Sequence, residues 1–109
     1  MFPQKNRLNS QEVVKLITLG KKNFSSYFRI NYLKGHFLQC SVVIPKKIYK
    51  QAFTRNKERR RILSVCRNLL SLNEEGLYLI FLTKDIKKLD YKSLEKELRD
   101  VLKKIKLAK

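Results

Sequence analysis

One apolar run, residues 76–83, limits the folds open to this chain more than any other stretch. It reads GLYLIFLT, with hydrophobic side chains at consecutive positions and two aromatic residues among them. A strand with one face in water alternates polar and apolar residues, so an unbroken run indicates a central strand that is covered on both faces. The run therefore favours a sheet with other elements packed on it.

The patterns on either side predict the order helix, strand, strand, helix, strand, helix, with room for a short extra strand. Asn9 with Glu12 resembles a capping box and predicts a first helix over about residues 10–19, which Gly20 would end in a left-handed conformation. The predicted inner face of this helix is Val13, Leu16 and Ile17.

Alternating residues predict a strand over 23–33 with Phe28, Ile30 and Tyr32 facing the core. Lys34-Gly35 then predicts a hairpin turn into a strand over 36–44, which Pro45 ends. Residues 71–76 read as a loop, and Asp90 as the cap of a last helix. The predicted fold class is α+β, a small mixed β-sheet with helices packed on it.

Residues 45–67 combine a cluster of cations with the start of a helix. Between residues 46 and 61 the single acid is Glu58, against Lys46, Lys47, Lys50, Arg55, Lys57, Arg59, Arg60 and Arg61. A solvated helix face usually mixes Glu with Lys, and cations near a helix start oppose its dipole. An anionic partner explains the cluster better.

Helical spacing from Asn56 onward places Ile62, Leu63 and Cys66 on one stripe. Arg55 and Arg59 continue that stripe, at the rim where the core ends. Lys57, Arg60 and Arg61 are predicted to point away from it. The helix would thus present two basic groups to a polyanion.

The same residues resemble the signature of the bacterial ribonuclease P protein family. In that family a Lys-Lys strand end leads into an Arg-Asn-Arg helix start, represented here by Lys46-Lys47 and Arg55-Asn56-Lys57, followed by Arg59-Arg60. Arg7-Leu8 and Leu89-Asp90-Tyr91 extend the resemblance over most of the chain. The departures are Gln39, Ser41 and Pro45 for the family's Arg, Gly and Ser, aliphatic Val14 and Ile17 for aromatic residues, and one extra residue between Lys-Lys and Arg-Asn.

The resemblance implies a function as well as a fold. The fold would be α-β-β-(β)-α-β-α, ribosomal protein S5 domain 2-like, with a left-handed βαβ crossover. In the family, a catalytic RNA subunit cleaves precursor tRNA with Mg²⁺ held by the RNA, giving the mature 5′ end, and the protein assists this tRNA processing. Neither a catalytic residue nor a metal site is expected in the protein itself.

The resemblance also implies two RNA-binding sets. Contact with the catalytic RNA is expected from Arg55, Asn56, Lys57, Arg59, Arg60 and Arg61. The 5′ leader is expected in a cleft between the first helix and the sheet, lined by Val14, Ile17, Thr18, Tyr27, Arg29, Asn31, Lys46 and Lys47. The pattern of aromatic and cationic residues makes Tyr27 and Phe37 candidate stacking platforms, although simple packing remains open for both.

Composition and motifs bound the alternatives. The net charge is +17, from 26 basic and 9 acidic residues, and the single histidine, His36, lies in a predicted strand. Asp85 and Asp90 lie among lysines, Glu74-Glu75 reads as a solubilising turn, and the cysteines lack a metal-ligand spacing. A standalone endonuclease is therefore disfavoured, whereas a basic structural ribosomal protein or other RNA-binding protein stays open.

We expect one domain, residues 1–109, whose residues 1–8 form a basic arm that is poorly ordered by itself. An anionic membrane is the competing polyanionic partner, but no window of about 18 apolar residues is present, and no DNA partner is expected. The N-terminus lacks an apolar signal core. Cys40 and Cys66 fit buried free thiols, so a cytoplasmic location is expected.

Overall fold

The computed structural model describes residues 6–70 and 75–107 of the chain. Its elements are α1 (Ser10–Leu19), β1 (Lys21–Phe24), β2 (Phe28–Leu33), β3 (Leu38–Val43), α2 (Ala52–Leu69), β4 (Gly76–Leu82) and α3 (Tyr91–Leu107). The strands form one mixed sheet in the order β1-β2-β4-β3. The α+β class predicted from the sequence is confirmed.

Strand β4 lies inside the sheet and is buried on both faces, as its unbroken apolar run predicted. It is antiparallel to β2 and parallel to β3. On one face, Leu77 and Leu79 pack with Leu16 of α1. On the other, Tyr78, Ile80 and Leu82 join the main core with residues of α2 and α3. The sheet therefore separates α1 from the two longer helices.

The predicted hairpin at Lys34-Gly35 is wrong, because β4 lies between β2 and β3. A strand that is buried on both faces needs hydrogen-bond partners along both of its edges, and β2 and β3 are the partners of β4. The chain instead crosses from β3 through α2 to the parallel strand β4. The predicted strand over 23–33 proves to be β1 and β2, joined by a turn in which the amide of Ser25 donates to the carbonyl of Phe28 (2.8 Å).

The helix starts are stabilised as predicted for α1 and α3. The Asn9 side chain accepts from the Glu12 amide (2.8 Å), and the Glu12 carboxylate accepts from the Asn9 amide (2.9 Å), which is a complete capping box. The Asp90 carboxylate accepts from the Ser93 amide (2.8 Å). Helix α2 begins at Ala52, ahead of the Arg55-Asn56-Lys57 segment at which the family resemblance places the helix start.

Two details of α1 differ from the prediction. Gly20 is extended (φ −65°, ψ 142°) and not left-handed. A side chain at Gly20 would place its Cβ 2.3 Å from the Leu16 carbonyl oxygen, so glycine allows the close approach to that carbonyl. Ile17 is 48% exposed and does not belong to the inner face.

The described part of the predicted basic arm is bonded along β3. The Asn6 amide group donates to the carbonyl of Leu38 and is buried. The Leu8 amide donates to Ser41 Oγ (3.1 Å). Gln39 donates to the Arg7 carbonyl (3.4 Å) and to Glu12 of α1 (2.9 Å), so the two departures at Gln39 and Ser41 fasten this segment to the sheet. Residues 1–5 of the arm lie outside the described residues.

Two smaller predictions can be placed. Cys40 and Cys66 are both buried free thiols, as expected, and the Cys40 side chain together with burial raises the pKa of Cys66. Most of the predicted loop over 71–76, including Glu74, lies outside the described residues.

Candidate nucleic-acid interface

A row of side chains crosses all four strands on the sheet face that carries α1. The register pairs Phe24 of β1 with Arg29 of β2, Arg29 with Phe81 of β4, and Phe81 with Val43 of β3. Directly paired residues project from the same face of a sheet. Phe81 and Val43 pack at the edge of the small core under α1, which places the row beside that helix.

Arginine and aromatic rings alternate within this row. The Arg29 guanidinium carbon lies 4.0 Å from the centre of the Phe81 ring, a cation–π contact. Arg29 Nε is buried and donates to no partner among the described residues. The Phe24 ring is 60% exposed. The row therefore offers flat apolar surface and a positive charge side by side.

One flank of α1 borders the row. Gln39 binds Glu12 on the far flank, and at about 100° per residue Val13 and Ile17 fall on the opposite flank, toward the row. Val14 and Ile17 are 62% and 48% exposed. The Thr18 hydroxyl donates to the Val14 carbonyl (2.9 Å), so this polar group is already bonded within α1 beside the exposed apolar side chains.

The structure brings together only part of the predicted cleft. Arg29 belongs to the row, helical spacing puts Ile17 on the flank of α1 toward it, and Val14 and Thr18 are exposed on the same helix. Lys46 and Lys47 are exposed and follow Val43, so they lie near the same end of the sheet.

Asn31 and Tyr27 are placed differently from the prediction. Asn31 is fully buried, and its side chain donates to the Leu16 carbonyl (3.1 Å), which fastens α1 to β2. Tyr27 packs against the main core on the other face of the sheet. Phe37 precedes β3 at the opposite end from the row, and is 47% exposed. Packing thus accounts for Tyr27.

Two arginines of α2 lie at the rim of the core, as predicted. Arg55 donates to the carbonyls of Tyr49 (3.0 Å) and Lys50 (2.7 Å), which steadies the turn before the helix. Arg59 donates from Nε to the Val42 carbonyl (3.3 Å). It also donates to the Asn56 side-chain oxygen (2.6 Å), and this orients the Asn56 amide group.

The prediction that Arg61 points away from the core is wrong. Arg61 donates to the Glu58 carboxylate (3.0 Å) and to the Ile86 carbonyl (3.0 Å), and its side chain is only 25% exposed. Glu58 is itself buried, and the buried charge is compensated by Arg61. The segment after β4 packs against this part of α2, a long-range contact that a helical wheel does not contain. Lys57 and Arg60 are exposed, as predicted.

Tyr49 fixes the segment between β4 and α3 close to α2. Its hydroxyl donates to the Asp85 carboxylate (2.7 Å) and accepts from the Ile86 amide (2.9 Å). Burial raises the pKa of Tyr49 to about 12. The amide of Lys87, followed by the Tyr49 hydroxyl, lowers the pKa of Asp85.

Sequence reasoning missed three exposed or half-exposed aromatic residues: Phe24, Phe53 and Phe81. Phe24 was assigned to the start of a longer strand, so its pairing with Arg29 was hidden. Phe81 was assigned to the core, although the residue paired with it on β2 is the cation Arg29. The missing information is the order of the strands. The available signal was the alternation of side chains along each strand, which indicates the face on which Phe24, Arg29 and Phe81 lie.

Two further properties of the described residues bear on the site. Residues 6–70 and 75–107 contain no group of three or more His, Cys, Asp or Glu side chains placed to hold a metal ion. Within the same residues, we find no helix with the length and apolar character needed to cross a membrane.

Comparison with known proteins identifies the family. The model of the Ribonuclease P family matches residues 2–106. The chain belongs to the ribonuclease P protein family. A ribonuclease P protein component from Pseudanabaena sp. (strain PCC 6903) is 30% identical over 112 aligned positions, which cover 98% of this chain and 97% of that relative.

Solved ribonuclease P proteins share the fold. A Staphylococcus aureus RNase P protein mutant with defective mRNA degradation activity superposes with a TM-score of 0.82 at 17% identity, over 94% of this chain and 90% of that one. The RNase P protein from Thermotoga maritima gives 0.78 at 18% identity, over 90% and 96%. These likenesses support the α+β architecture described above.

Proposed function

We propose that the chain, as a protein component of ribonuclease P, holds precursor tRNA for cleavage by a catalytic RNA subunit. In this proposal the row Phe24–Arg29–Phe81–Val43 and the exposed flank of α1 bind the single-stranded 5′ leader. Helix α2 binds the catalytic RNA, which holds the Mg²⁺ and cleaves the leader.

The observation that carries the proposal is the stacked Arg29–Phe81 pair beside exposed Phe24. Every base has a flat π face, so stacking does not depend on the RNA sequence. Stacking on an aromatic side chain contributes about 1–3 kcal/mol per base. Arg29 is fixed over Phe81 and so offers a second flat surface together with a positive charge. Lys46 and Lys47 add cations for the phosphates near the same end of the sheet.

The α2 set is proposed to divide into contact and positioning residues. Lys57 and Arg60 are exposed and contact RNA phosphates directly. Asn56 contacts the RNA with its amide group, since Arg59 already binds its oxygen. Some of the N–H groups of Arg55, Arg59 and Arg61 donate to acceptors within the protein. Only the remaining donors of these side chains are presented to RNA.

Cleavage of precursor tRNA tests the function. We expect no cleavage by the protein alone, slow cleavage by the catalytic RNA at low Mg²⁺, and faster cleavage by the two together. Cleavage by RNA-free protein would instead indicate a standalone nuclease. A protein that binds RNA but does not assist the catalytic RNA would indicate a structural ribosomal role.

A variant of Phe24 tests the placement of the leader. Phe24→Leu keeps an apolar side chain but removes the ring, and we expect about fivefold weaker binding of leader-bearing precursor tRNA. Phe24→Tyr keeps the ring and should bind like the parent chain. Equal loss for mature tRNA, which has no leader, would contradict this placement.

A further inference from the structure

A pocket of about 470 Å³ lies between the start of α2 and the segment after β4. It is lined by Phe53, Thr54, Lys57, Glu58, Arg61 and Lys87. We infer that this pocket receives one unpaired nucleotide of the catalytic RNA, with its base stacked on Phe53 and its phosphate bound by Lys57 and Lys87. The inference rests on the proposed function and adds contacts from Phe53 and Lys87, which are not signature residues.

Phe53 presents most of its aromatic side chain to solvent. It is 77% exposed, the largest exposed fraction among the large hydrophobic residues of the described chain. It lies in the first turn of α2, and Lys57 follows four residues later on the same helix face. An exposed aromatic ring beside a cation on one rigid helix is the arrangement that holds unpaired bases.

The charges that the pocket presents to solvent are positive. Its one carboxylate, Glu58, is buried and bound by Arg61, so that charge is compensated inside the protein. Lys57 and Lys87 are exposed, and neither forms an ion pair with a described residue. The nearby Asp85 carboxylate is engaged by the Tyr49 hydroxyl and by the Lys87 amide. The pocket therefore suits a phosphate next to the ring.

The wall opposite α2 is held in place before any ligand binds. Tyr49 anchors Asp85 and Ile86, and Arg61 donates to the Ile86 carbonyl. The Lys87 ammonium lies 5.1 Å from the centre of the Tyr49 ring, which restrains the side chain toward the pocket. A preformed wall lowers the ordering cost of binding, so a small contact can still contribute affinity.

The pocket is distinct from the proposed leader surface. Lys87 follows β4 on the segment that packs on α2, and α2 packs on the main-core face of the sheet. The row with Phe81 projects from the face that carries α1. One RNA contact on each face allows the protein to lie between the leader and the catalytic RNA.

A tryptophan reporter tests the stacking directly, because the chain contains no tryptophan. We would titrate Phe53→Trp with the catalytic RNA and record tryptophan emission, with filter binding of the same samples to measure complex formation. Emission should fall in proportion to the complex formed. Phe37→Trp, at the opposite end of the sheet, serves as the matched reporter and should keep its emission.

Affinity measurements provide the second readout. Phe53→Ala should weaken binding of the catalytic RNA about fivefold or more, the lower end of the stacking range, without changing the melting temperature. Phe53→Tyr should restore the affinity. Lys87→Ala in the Phe53→Trp chain should reduce the quenching at a fixed RNA concentration.

The two proposals fail in different ways. If filter binding shows a saturated complex while Phe53→Trp emission is unchanged, the pocket is not a nucleotide site and the proposed function stands. If neither filter binding nor a Phe24→Trp reporter responds to the catalytic RNA or to precursor tRNA, the proposed function and the pocket are both overturned.

Discussion

At the scale of single residues, the arginines of the basic stretch differ in what they are free to bind. Arg59 spans from α2 to the Val42 carbonyl and to Asn56, whereas Arg60 is exposed on the same helix. A count of cations in the sequence treats the two alike. The structure separates an arginine that is bonded within the protein from one that is exposed.

We expect Arg59→Ala and Arg60→Ala to differ in stability but not in the direction of their effect on RNA binding. Loss of the Arg59 hydrogen bonds should lower the free energy of unfolding by about 1–2 kcal/mol, since bonds from charged donors at a half-exposed site are involved. Arg60→Ala should leave unfolding unchanged. Urea denaturation and RNA binding of both variants check this, and equal stabilities would contradict the positioning role.

A second residue-scale prediction concerns Tyr49 at alkaline pH. Its pKa is about 12 in the folded chain against 10.0 ordinarily, so the folded state favours the protonated hydroxyl. This contribution to stability is complete below pH 10 and is lost as the pH rises through 12. Tyr49→Phe lacks it. The difference in melting temperature between the two chains should therefore narrow from pH 9 to pH 12, and a constant difference would refute the prediction.

At the scale of elements, α1 is fixed to the sheet by one flank and leaves the other open. Glu12, Leu16 and the Asn31 contact hold it in place, while Val14 and Ile17 are exposed and helical spacing puts Ile17 on the flank toward the row. Leu19 is also exposed, at 66%, but helical spacing puts it on the opposite flank from Ile17. The chain thus supplies its own matched control.

Ile17→Ala should weaken binding of leader-bearing precursor tRNA, whereas Leu19→Ala should not. Both side chains are exposed, so neither truncation should cost more than about 0.5 kcal/mol of stability. Fluorescence anisotropy with a labelled precursor tRNA measures the difference. Equal losses for the two variants would remove α1 from the leader surface.

Local patterns in the sequence were sufficient for much of the fold. The Asn9–Glu12 box, the Asp90 cap and the apolar run of β4 each depend on neighbouring residues, and each is confirmed. The hairpin between β2 and β3 was predicted wrongly because strand order depends on residues that are distant in sequence.

The candidate site was less predictable for the same reason. Alternation drew attention to Arg29, and the family resemblance predicted Arg29, Val14 and Ile17 for the cleft. Arg61 was misplaced because its partner, the Ile86 carbonyl, lies 25 residues away. Phe24 was missed because its meaning depends on its pairing with Arg29 across β1 and β2.

At the scale of the whole molecule, we expect the net charge of +17 on 109 residues to dominate the proposed association with RNA. If binding engages about six phosphates on single strands, the logarithm of the association constant should fall against the logarithm of salt with a slope near −4, at about −0.7 per phosphate. Arg60→Ala should make the slope about 0.7 shallower. Titrations from 50 to 400 mM KCl measure it, and a flat response would exclude electrostatic binding.

The position of β4 between β2 and β3 also affects how the chain folds during its synthesis. Strands β2 and β3 are synthesised before β4. The backbone groups on the edges that face β4 therefore have no hydrogen-bond partner until residues 76–82 are available. Polypeptides that end at Leu70 should accordingly be prone to aggregation and sensitive to protease. We expect truncation at Leu70 to lower the yield of folded protein independently of any contact with RNA.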